Sequence, residues 1–218
     1  MSMSKDTHTE NSTNNRLRSI IALIMFAIVA TLIINLIARK TQQDIAANQA
    51  AHAMQIIREV LPPDNYNNEP YLDVIWLSDK ALPGSQPALP AYRARLDQEV
   101  TATVMTAIAE AGYVGPIKLL ISINNQGKII RVRVTEHRET PGLGDKIEPK
   151  KSNWINLFDG AGLGTEADWS LRRDGGKVDH ISGATITSRT VTRTVHATLK
   201  YYLANSSAIH ATPDKFKE

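Results

Sequence analysis

Ile117-Lys118-Leu119-Leu120-Ile121-Ser122-Ile123, then Asn124-Asn125-Gln126-Gly127, then Lys128-Ile129-Ile130-Arg131-Val132-Arg133-Val134-Thr135: this stretch reads as a β-hairpin, and it decides the fold class. Asn and Gly at the tip suit positive φ, and both arms are rich in β-branched residues. In the second arm Ile130, Val132 and Val134 alternate with Ile129, Arg131, Arg133 and Thr135. A period of two predicts Ile130, Val132 and Val134 toward the core, with Arg131 and Arg133 in water.

Working outward, Ala91–Leu96, the turn Asp97-Gln98 and the Val- and Thr-rich run Val100–Ile108 suggest a second hairpin. The last run also admits a helix. Asn65–Pro90 is loop-rich, with Pro70, Pro83, Gly84, Pro87 and Pro90, and a short strand is expected at Tyr71–Leu77. A further strand is expected at Trp169–Arg172, before the turn Asp174-Gly175-Gly176. Helices are expected at Thr41–Leu61, Ser152–Phe158 and Thr187–Leu203. The first carries an apolar stripe (Ile45, Ala53, Ile56, Ile57, Val60, Leu61) that docks on the core and stops at Pro62-Pro63. Val191, Val195, Leu199 and Leu203 form the stripe of the last. The pattern predicts an α+β domain over 41–206, a mostly antiparallel twisted sheet with flanking helices. A loose polar tail is expected over 207–218.

Ahead of this domain, Ser19–Ala38 reads SIIALIMFAIVATLIINLIA, twenty residues without a charge. At about 1.5 Å per residue they span roughly 30 Å, the thickness of a bilayer core. A cleaved signal peptide would have a shorter apolar run and a small-x-small site, whereas this run ends at Arg39-Lys40. An uncleaved transmembrane helix is therefore expected, after a polar leader over 1–18. Lys5, Arg16 and Arg18 precede it and Arg39 and Lys40 follow, a narrow excess that favours the N-terminus inside.

Composition excludes several classes. With 42% hydrophobic and 22% charged residues the chain is not wholly disordered. The absence of cysteine removes disulfides, thiolate zinc sites, cysteine-ligated iron–sulfur clusters and a cysteine nucleophile. A net charge of +3 with scattered basic residues gives nucleic-acid binding no support. Gly160–Thr165 departs from a dinucleotide loop, with Thr165 at the third glycine position and no strong strand before it. There is no Walker A sequence and no G-x-S-x-G elbow. His137 and His180 lack an evident third ligand, so polar packing is the better reading of both.

Asp179-His180-Ile181-Ser182-Gly183-Ala184-Thr185-Ile186-Thr187-Ser188 carries the chemistry. Gly183 and Ala184 let a bulky ligand approach the backbone. Thr185 lies just before the closing helix, whose free N–H groups suit a phosphate, and Thr187 or Ser188 can cap that helix. Taken alone, Ser-Gly-Ala-Thr before a helix is an ordinary loop and cap.

Together with Glu139-Thr140-Pro141-Gly142-Leu143-Gly144 and the anchor, this segment resembles the G subunit of the Rnf electron-transport complex (Rsx in enterobacteria). It is similar, more distantly, to the C subunit of the sodium-pumping NADH:quinone reductase. The resemblance extends over nearly the whole chain after the leader. It is densest from Gly112-Tyr113-Val114-Gly115 through Val134–Glu148, and continues through Trp154 and Asp174-Gly175-Gly176. In that family a flavin transferase reads Asp-x-x-Ser/Thr-Gly-Ala-Thr and moves FMN from FAD onto the last Thr as a phosphoester. The match at Asp179, Ser182, Gly183, Ala184 and Thr185 thus implies covalent FMN on Thr185. Asp179 can serve the transferase alone or the finished flavoprotein. The turn Glu139-Thr140-Pro141-Gly142-Leu143-Gly144, with Thr187, is expected to form part of the flavin slot. Pro141 stiffens it, and Gly142 and Gly144 admit the ring. The resemblance further implies an electron-carrying component of a membrane complex that couples ferredoxin and NAD electron exchange to ion movement, or reduces a redox-sensing regulator. Its expected partners are the other membrane subunits, the transferase during maturation, and the bilayer. It places the domain on the periplasmic side of a bacterial inner membrane, with the N-terminus cytoplasmic. The rival reading is a cofactor-free, membrane-tethered structural or assembly subunit. A hydrolase acting through Ser182 or Thr187 ranks lower, because no base is placed beside either residue.

Overall fold

The hairpin at 117–135 forms, and its tip explains its register. In the computed structural model, which describes residues 54–211 together with Met25 and Thr31, Asn124 Oδ1 accepts the N–H groups of Gln126 (3.0 Å) and Lys128 (2.9 Å). Gly127 follows at φ +75°, and a Cβ there would meet Leu203 Cδ2 at 2.4 Å. Glycine is required both by the turn and by the helix packed over it.

Five strands make one antiparallel meander in the order β1 (Val74–Leu77), β2 (Leu89–Leu96), β3 (Glu99–Ala109), β4 (Ile117–Asn124), β5 (Ile129–Glu136). Asp97 and Gln98, at φ 49° and 74°, close the β2–β3 hairpin with two left-handed residues, which matches the twist of the strands. Val100–Ile108 is strand, not helix. Its ambiguity has a physical cause, since β3 is covered on both faces. Ala102 and Val104 pack toward one side, and Met105, Ala107 and Ala109 toward the other. A doubly covered strand loses its polar alternation.

The larger core lies between the sheet and helix α2 (Thr185–Ala211), where Ile117, Leu119, Ile121 and Ile123 of β4 meet Val191, Val195, Leu199 and Tyr202. The smaller core lies on the opposite face. There Ile57, Val60 and Leu61, at the end of helix α1 (residues 54–60 of those described), pack on Ala94, Ala102, Val104 and Leu120. Ser122 Oγ donates to Val60 O at 2.5 Å and fixes α1 to the sheet. Of the expected stripe, Ile56, Ile57, Val60 and Leu61 dock on the domain core, as their spacing predicts; Ile45 and Ala53 lie outside the described residues.

Several expectations are corrected. In β5 the pairing slips between Ser122 and Ile123, so Ile123 pairs with Ile129 but Ser122 with Arg131. The extra residue puts Ile129 with Val132 and Val134 on the α2 side and Ile130 on the α1 side. Arg131 and Arg133 are half-buried rather than free in water. Arg131 donates to Glu59 O, and Arg133 to Val132 O and Asn156 Oδ1.

Trp169–Arg172 is not a strand. Thr165 and Asp168 form a capping box that starts a 3-10 helix at Glu166–Trp169, and only Leu171 bridges Val178. Trp169 instead stacks between Phe158 (5.8 Å, 4°) and His196 (4.9 Å, 5°), and donates to Leu163 O at 2.6 Å. Ser152–Phe158 is a 3-10 helix over Trp154–Phe158.

Helix α2 starts two residues before the expected Thr187 and runs eight past Leu203, so residues 207–211 of the expected tail are helical. Ile209 is buried, and Arg93 donates to its carbonyl at 3.3 Å, which holds the last turn down. Leu203 is 37% exposed and lies against Gly127, while Tyr202 takes the buried place on the stripe.

The leader at 1–18, the rest of Ser19–Ala38, residues 41–53 and residues 212–218 lie outside the described residues. Met1–Ala51 and His52–Glu218 are separate units, and the sheet, both cores and α2 belong to the second. Among the described residues no helix is long and apolar enough to cross a membrane.

Leu119 is fully buried at the centre of the larger core. Leu119→Ala should lower unfolding free energy by about 3 kcal/mol, the transfer and cavity cost of such a truncation. Urea titration followed by circular dichroism checks this, and a loss under about 1 kcal/mol would contradict the described packing.

Candidate functional site

The segment before α2 is folded into the domain at four points. Trp154 Nε1 donates to Asp179 O at 2.6 Å. Ile181 and Ala184 are buried, and the Ala184 N–H bonds Ile181 O at 3.0 Å, closing a turn with Ser182 and Gly183 at its corners. Gly183 stands at φ +80°, which this turn requires, and a Cβ there would sit 2.9 Å from Leu143 Cδ2. Ser188 and Thr187 do not precede the helix as caps; both lie inside it. Ser188 Oγ accepts from Ile181 N–H (3.0 Å) and donates to Ala184 O (2.9 Å), tying the loop to the first turn from within. Ser188 N–H makes the first bond back, to Ala184 O at 3.0 Å. The N–H groups of Thr185, Ile186 and Thr187 therefore stand ahead of the helix's own ladder.

A buried carboxylate joins this segment to the other two walls. Glu139 is 4% exposed. Its Oε1 accepts from Val114 N–H at 3.0 Å, and its Oε2 accepts from the Thr187 hydroxyl in a short bond. Its neighbours leave it room only because they are glycines. A Cβ on Gly112 would lie 2.9 Å from Oε1, and one on Gly144 would lie 2.6 Å from Oε2. The run Glu139-Thr140-Pro141-Gly142-Leu143-Gly144 turns on Gly142, at φ +78°, with Leu143 N–H bonding Thr140 O at 3.2 Å.

Behind the turn lies an ionic network. His137 Nδ1 accepts from Glu139 N–H (3.1 Å), which directs its Nε2 proton to Glu148 Oε1 (3.1 Å). Lys151 Nζ bonds Glu148 (2.8 Å) and Asp145 (2.9 Å). The lysine holds both carboxyls below the usual carboxylate range, helped at Asp145 by the Gly142 backbone.

Between these walls opens a cleft of about 440 Å³. Of the residues expected at the site, Glu139, Thr140, Leu143, Gly144, Gly183, Ala184, Thr185 and Thr187 line it. Pro141, Gly142, Asp179 and Ser182 do not. Asp179 is exposed and pairs with Arg172 at 3.0 Å, and Ser182 faces solvent. Tyr113, Arg173, His180 and Ile186 complete the lining, and none of them is among the residues expected to hold the cofactor. Tyr113 falls within the Gly112–Gly115 run, so a signal existed. Arg173 precedes Asp174-Gly175-Gly176, but spacing alone does not carry a residue twelve positions upstream to Thr185. The fold does, and Arg173 Nη1 donates to Thr185 Oγ1 at 2.9 Å.

The loop Gly160–Thr165 lies elsewhere, beside a second cavity of about 450 Å³ over Phe158 and Trp169. The ion pairs Arg172–Asp179 and Lys177–Asp168 involve residues of its lining. His137 is engaged by Glu148, and His180 lines the first cleft. Among the described residues no group of three or more His, Asp or Glu is placed to hold a metal ion.

Residues 112–200, which contain every wall of the first cleft, match the FMN-binding domain family. The chain is 40% identical over 197 residues to the G subunit of the ion-translocating oxidoreductase complex of Pseudomonas aeruginosa (strain PAO1), covering 89% of this chain and 92% of that one. To the protein of the same name in Shewanella oneidensis it is 36% identical over 202 residues, covering 92% and 95%. Among solved structures, NqrC of Shewanella oneidensis aligns with a TM-score of 0.47 and 20% identity, over 66% of this chain and 74% of that one. The chain belongs to the family of G subunits of the ion-translocating oxidoreductase complex.

Glu139→Ala leaves the buried Thr187 hydroxyl, and the part-buried Val114 N–H, without their partner, and should destabilise the domain by about 2–3 kcal/mol. Glu139→Gln keeps the shape and one acceptor oxygen, and its amide can donate to the Thr187 hydroxyl, so it should recover at least half of the loss. Equal unfolding midpoints for the two variants would show that the carboxylate's bonds are not what holds these segments.

Proposed function

We propose that this chain carries FMN as a phosphoester on Thr185 and serves as an electron relay in an ion-coupled membrane oxidoreductase complex of the Rnf type. One observation carries the reading. The Thr185 hydroxyl stands at the first position of α2, half-exposed, in the wall of a cleft that pairs apolar sides with a guanidinium at the hydroxyl itself.

The residues present fit the group. A volume of about 440 Å³ lies within the range of small-molecule sites, about 300–1,000 Å³. Tyr113, Leu143, Ala184 and Ile186 offer apolar surface for a planar ring. The free N–H groups at the start of α2 and the helix dipole favour a phosphate beside Thr185. Gly183 and Gly144, by lacking a Cβ, let the walls pack closely, Gly183 on Leu143 and Gly144 on Glu139 and Thr187. FMN bound there supplies exchange of one or two electrons, which lets it link carriers of different type. The chain's own residues orient and hold it; no side chain is needed as acid or base.

On this reading the six residues of the Glu139–Gly144 turn divide. Thr140, Leu143 and Gly144 face the group, whereas Glu139 and Thr187 satisfy each other and hold the walls. Pro141 and Gly142 shape the turn from outside. Asp179 and Ser182, exposed beside the acceptor, are what a flavin transferase reads during maturation. Attachment suits a site open to solvent outside the cytoplasm, because a tethered cofactor cannot be lost by dilution. Ser19–Ala38 anchors the chain in the inner membrane, the N-terminus is cytoplasmic, and the domain works in the periplasm beside the other membrane subunits.

Expressed with a flavin transferase, denatured and run on a gel, the wild-type chain should give a band fluorescent under ultraviolet light, and Thr185→Val should give none. A dark wild-type band would favour a cofactor-free scaffold. A periplasm-dependent reporter fused after Glu218 should be active; activity of a cytoplasm-only reporter at that position would reverse the topology.

A further inference from the structure

We propose that Arg173 is the residue that receives the phosphate at Thr185, gripping a phosphate oxygen as the hydroxyl is esterified and neutralising the finished phosphodiester. This rests on the reading of Thr185 given above. Its evidence is the way charges are shared around the cleft. Arg173 Nη1 donates to Thr185 Oγ1 at 2.9 Å. Its charged neighbours in sequence are already paired. Arg172 pairs with Asp179 at 3.0 Å, and Asp174 is taken by Arg189 through two bonds, of 2.8 and 2.9 Å. Among the described residues Arg173 makes no ion pair within 4 Å; its side chain donates to a neutral hydroxyl, and its charge also helps to lower the Asp174 carboxyl. A cation seated on a neutral oxygen, with nearby anions already committed, marks where a negative charge is to be made.

The position of Arg173 is also fixed. It sits in the 3-10 turn Arg172–Asp174, ended by Gly175 at φ +88°. The turn is tied by Arg172 N–H to Val178 O (2.8 Å) and by Asp174 to α2 through Arg189. The side chain therefore reaches Thr185 from a held backbone.

In the transfer, Thr185 Oγ1 bonds to the flavin-side phosphorus of FAD as the pyrophosphate bond to the adenylate half breaks. AMP leaves with the bridging oxygen, and the hydroxyl proton passes to a base of the transferase. Once esterified, Oγ1 is a poorer acceptor and the adjacent non-bridging oxygens carry one negative charge. Five donors in a planar fork let the guanidinium move from the first to the second without leaving the site.

The test uses the full chain in detergent, purified transferase and FAD, with the mass of the intact protein followed in time. Arg173→Met should be modified about tenfold more slowly than wild type, the size of effect for losing one charge-assisted contact. Arg173→Lys, which keeps the charge but not the fork, should recover part of the rate. In the finished proteins the phosphorus-31 resonance of Arg173→Met should be displaced from the wild-type position, with the unfolding midpoint unchanged. Arg173→Met labelled at the wild-type rate, with the wild-type phosphorus signal, would overturn the proposal. So would Lys and Met variants equally slow with an undisplaced signal, which marks a merely structural contact. A wild-type chain that is never modified would instead sink the Thr185 reading itself.

Discussion

The Glu139 carboxylate constrains the rest of the site. A buried carboxylate is tolerated only when donors surround it, and here Val114 N–H and the Thr187 hydroxyl occupy its two oxygens. That requirement draws together three segments far apart in sequence, the Gly112–Gly115 loop, the Glu139–Gly144 turn and the start of α2. It also explains Gly144 without reference to any ligand, since a Cβ there would collide with the carboxylate itself, while one on Gly112 would strike both the Gly115 carbonyl and the carboxylate. Because Thr187 and Thr185 lie on one helical turn, fixing the first fixes the second. The geometry of the Thr185 hydroxyl is therefore set from beneath, by a group that, on the proposed reading, need not touch what the hydroxyl holds.

Helix α2 transmits this precision because it is held at both ends and along its length. Glu139 and Ser188 hold the first turn, and Arg93 holds the last through the carbonyl of Ile209. Arg93 is itself fixed by Asp73, which also pairs with Arg95. Between these points Val191, Val195 and Leu199 lie on β3 and β4, which are covered on both faces. An electron relay gains from such a platform, since transfer depends on a fixed separation between centres. On the proposed reading, the domain's stability and the cofactor's position share the same contacts.

What is legible in the sequence follows from which signals survive packing. The 117–135 hairpin is readable because its tip carries Asn and Gly and its outer strand keeps polar residues. Its facing is misread at Ile130, since a one-residue slip in β5 leaves no mark in the pattern. Val100–Ile108 reads as ambiguous for the reason that makes it central, burial on both faces. Trp169–Arg172 reads as a strand by composition. The Thr165–Asp168 capping box, a local side-chain pairing, overrides that preference. At the site, eight of the twelve expected residues line the cleft, because a loop and a turn quoted as continuous runs fold as units. Arg173 is not legible, since its approach to Thr185 depends on how the Asp174-Gly175-Gly176 turn docks on Arg189.

The run from Asp179 to Thr185 answers to two demands that alternate along it. Ile181 and Ala184 are buried, and Gly183 is pressed against Leu143 with positive φ, so these three positions are set by the fold. Asp179, His180 and Ser182 are exposed and make no comparable demand on the core. A pattern that were merely a helix cap would need the first set and be indifferent to the second. A pattern read by another protein needs both, the buried residues to shape the turn and the exposed ones to be recognised. Asp179 meets that description. Its carbonyl is tied to Trp154, so its place is fixed, while its side chain points away from the cleft toward Arg172. On the proposed reading, a carboxylate held in place yet turned from the cleft is better suited to contact with a maturing partner than to holding the ring. The split between inward and outward residues is the arrangement that the proposed acceptor reading requires.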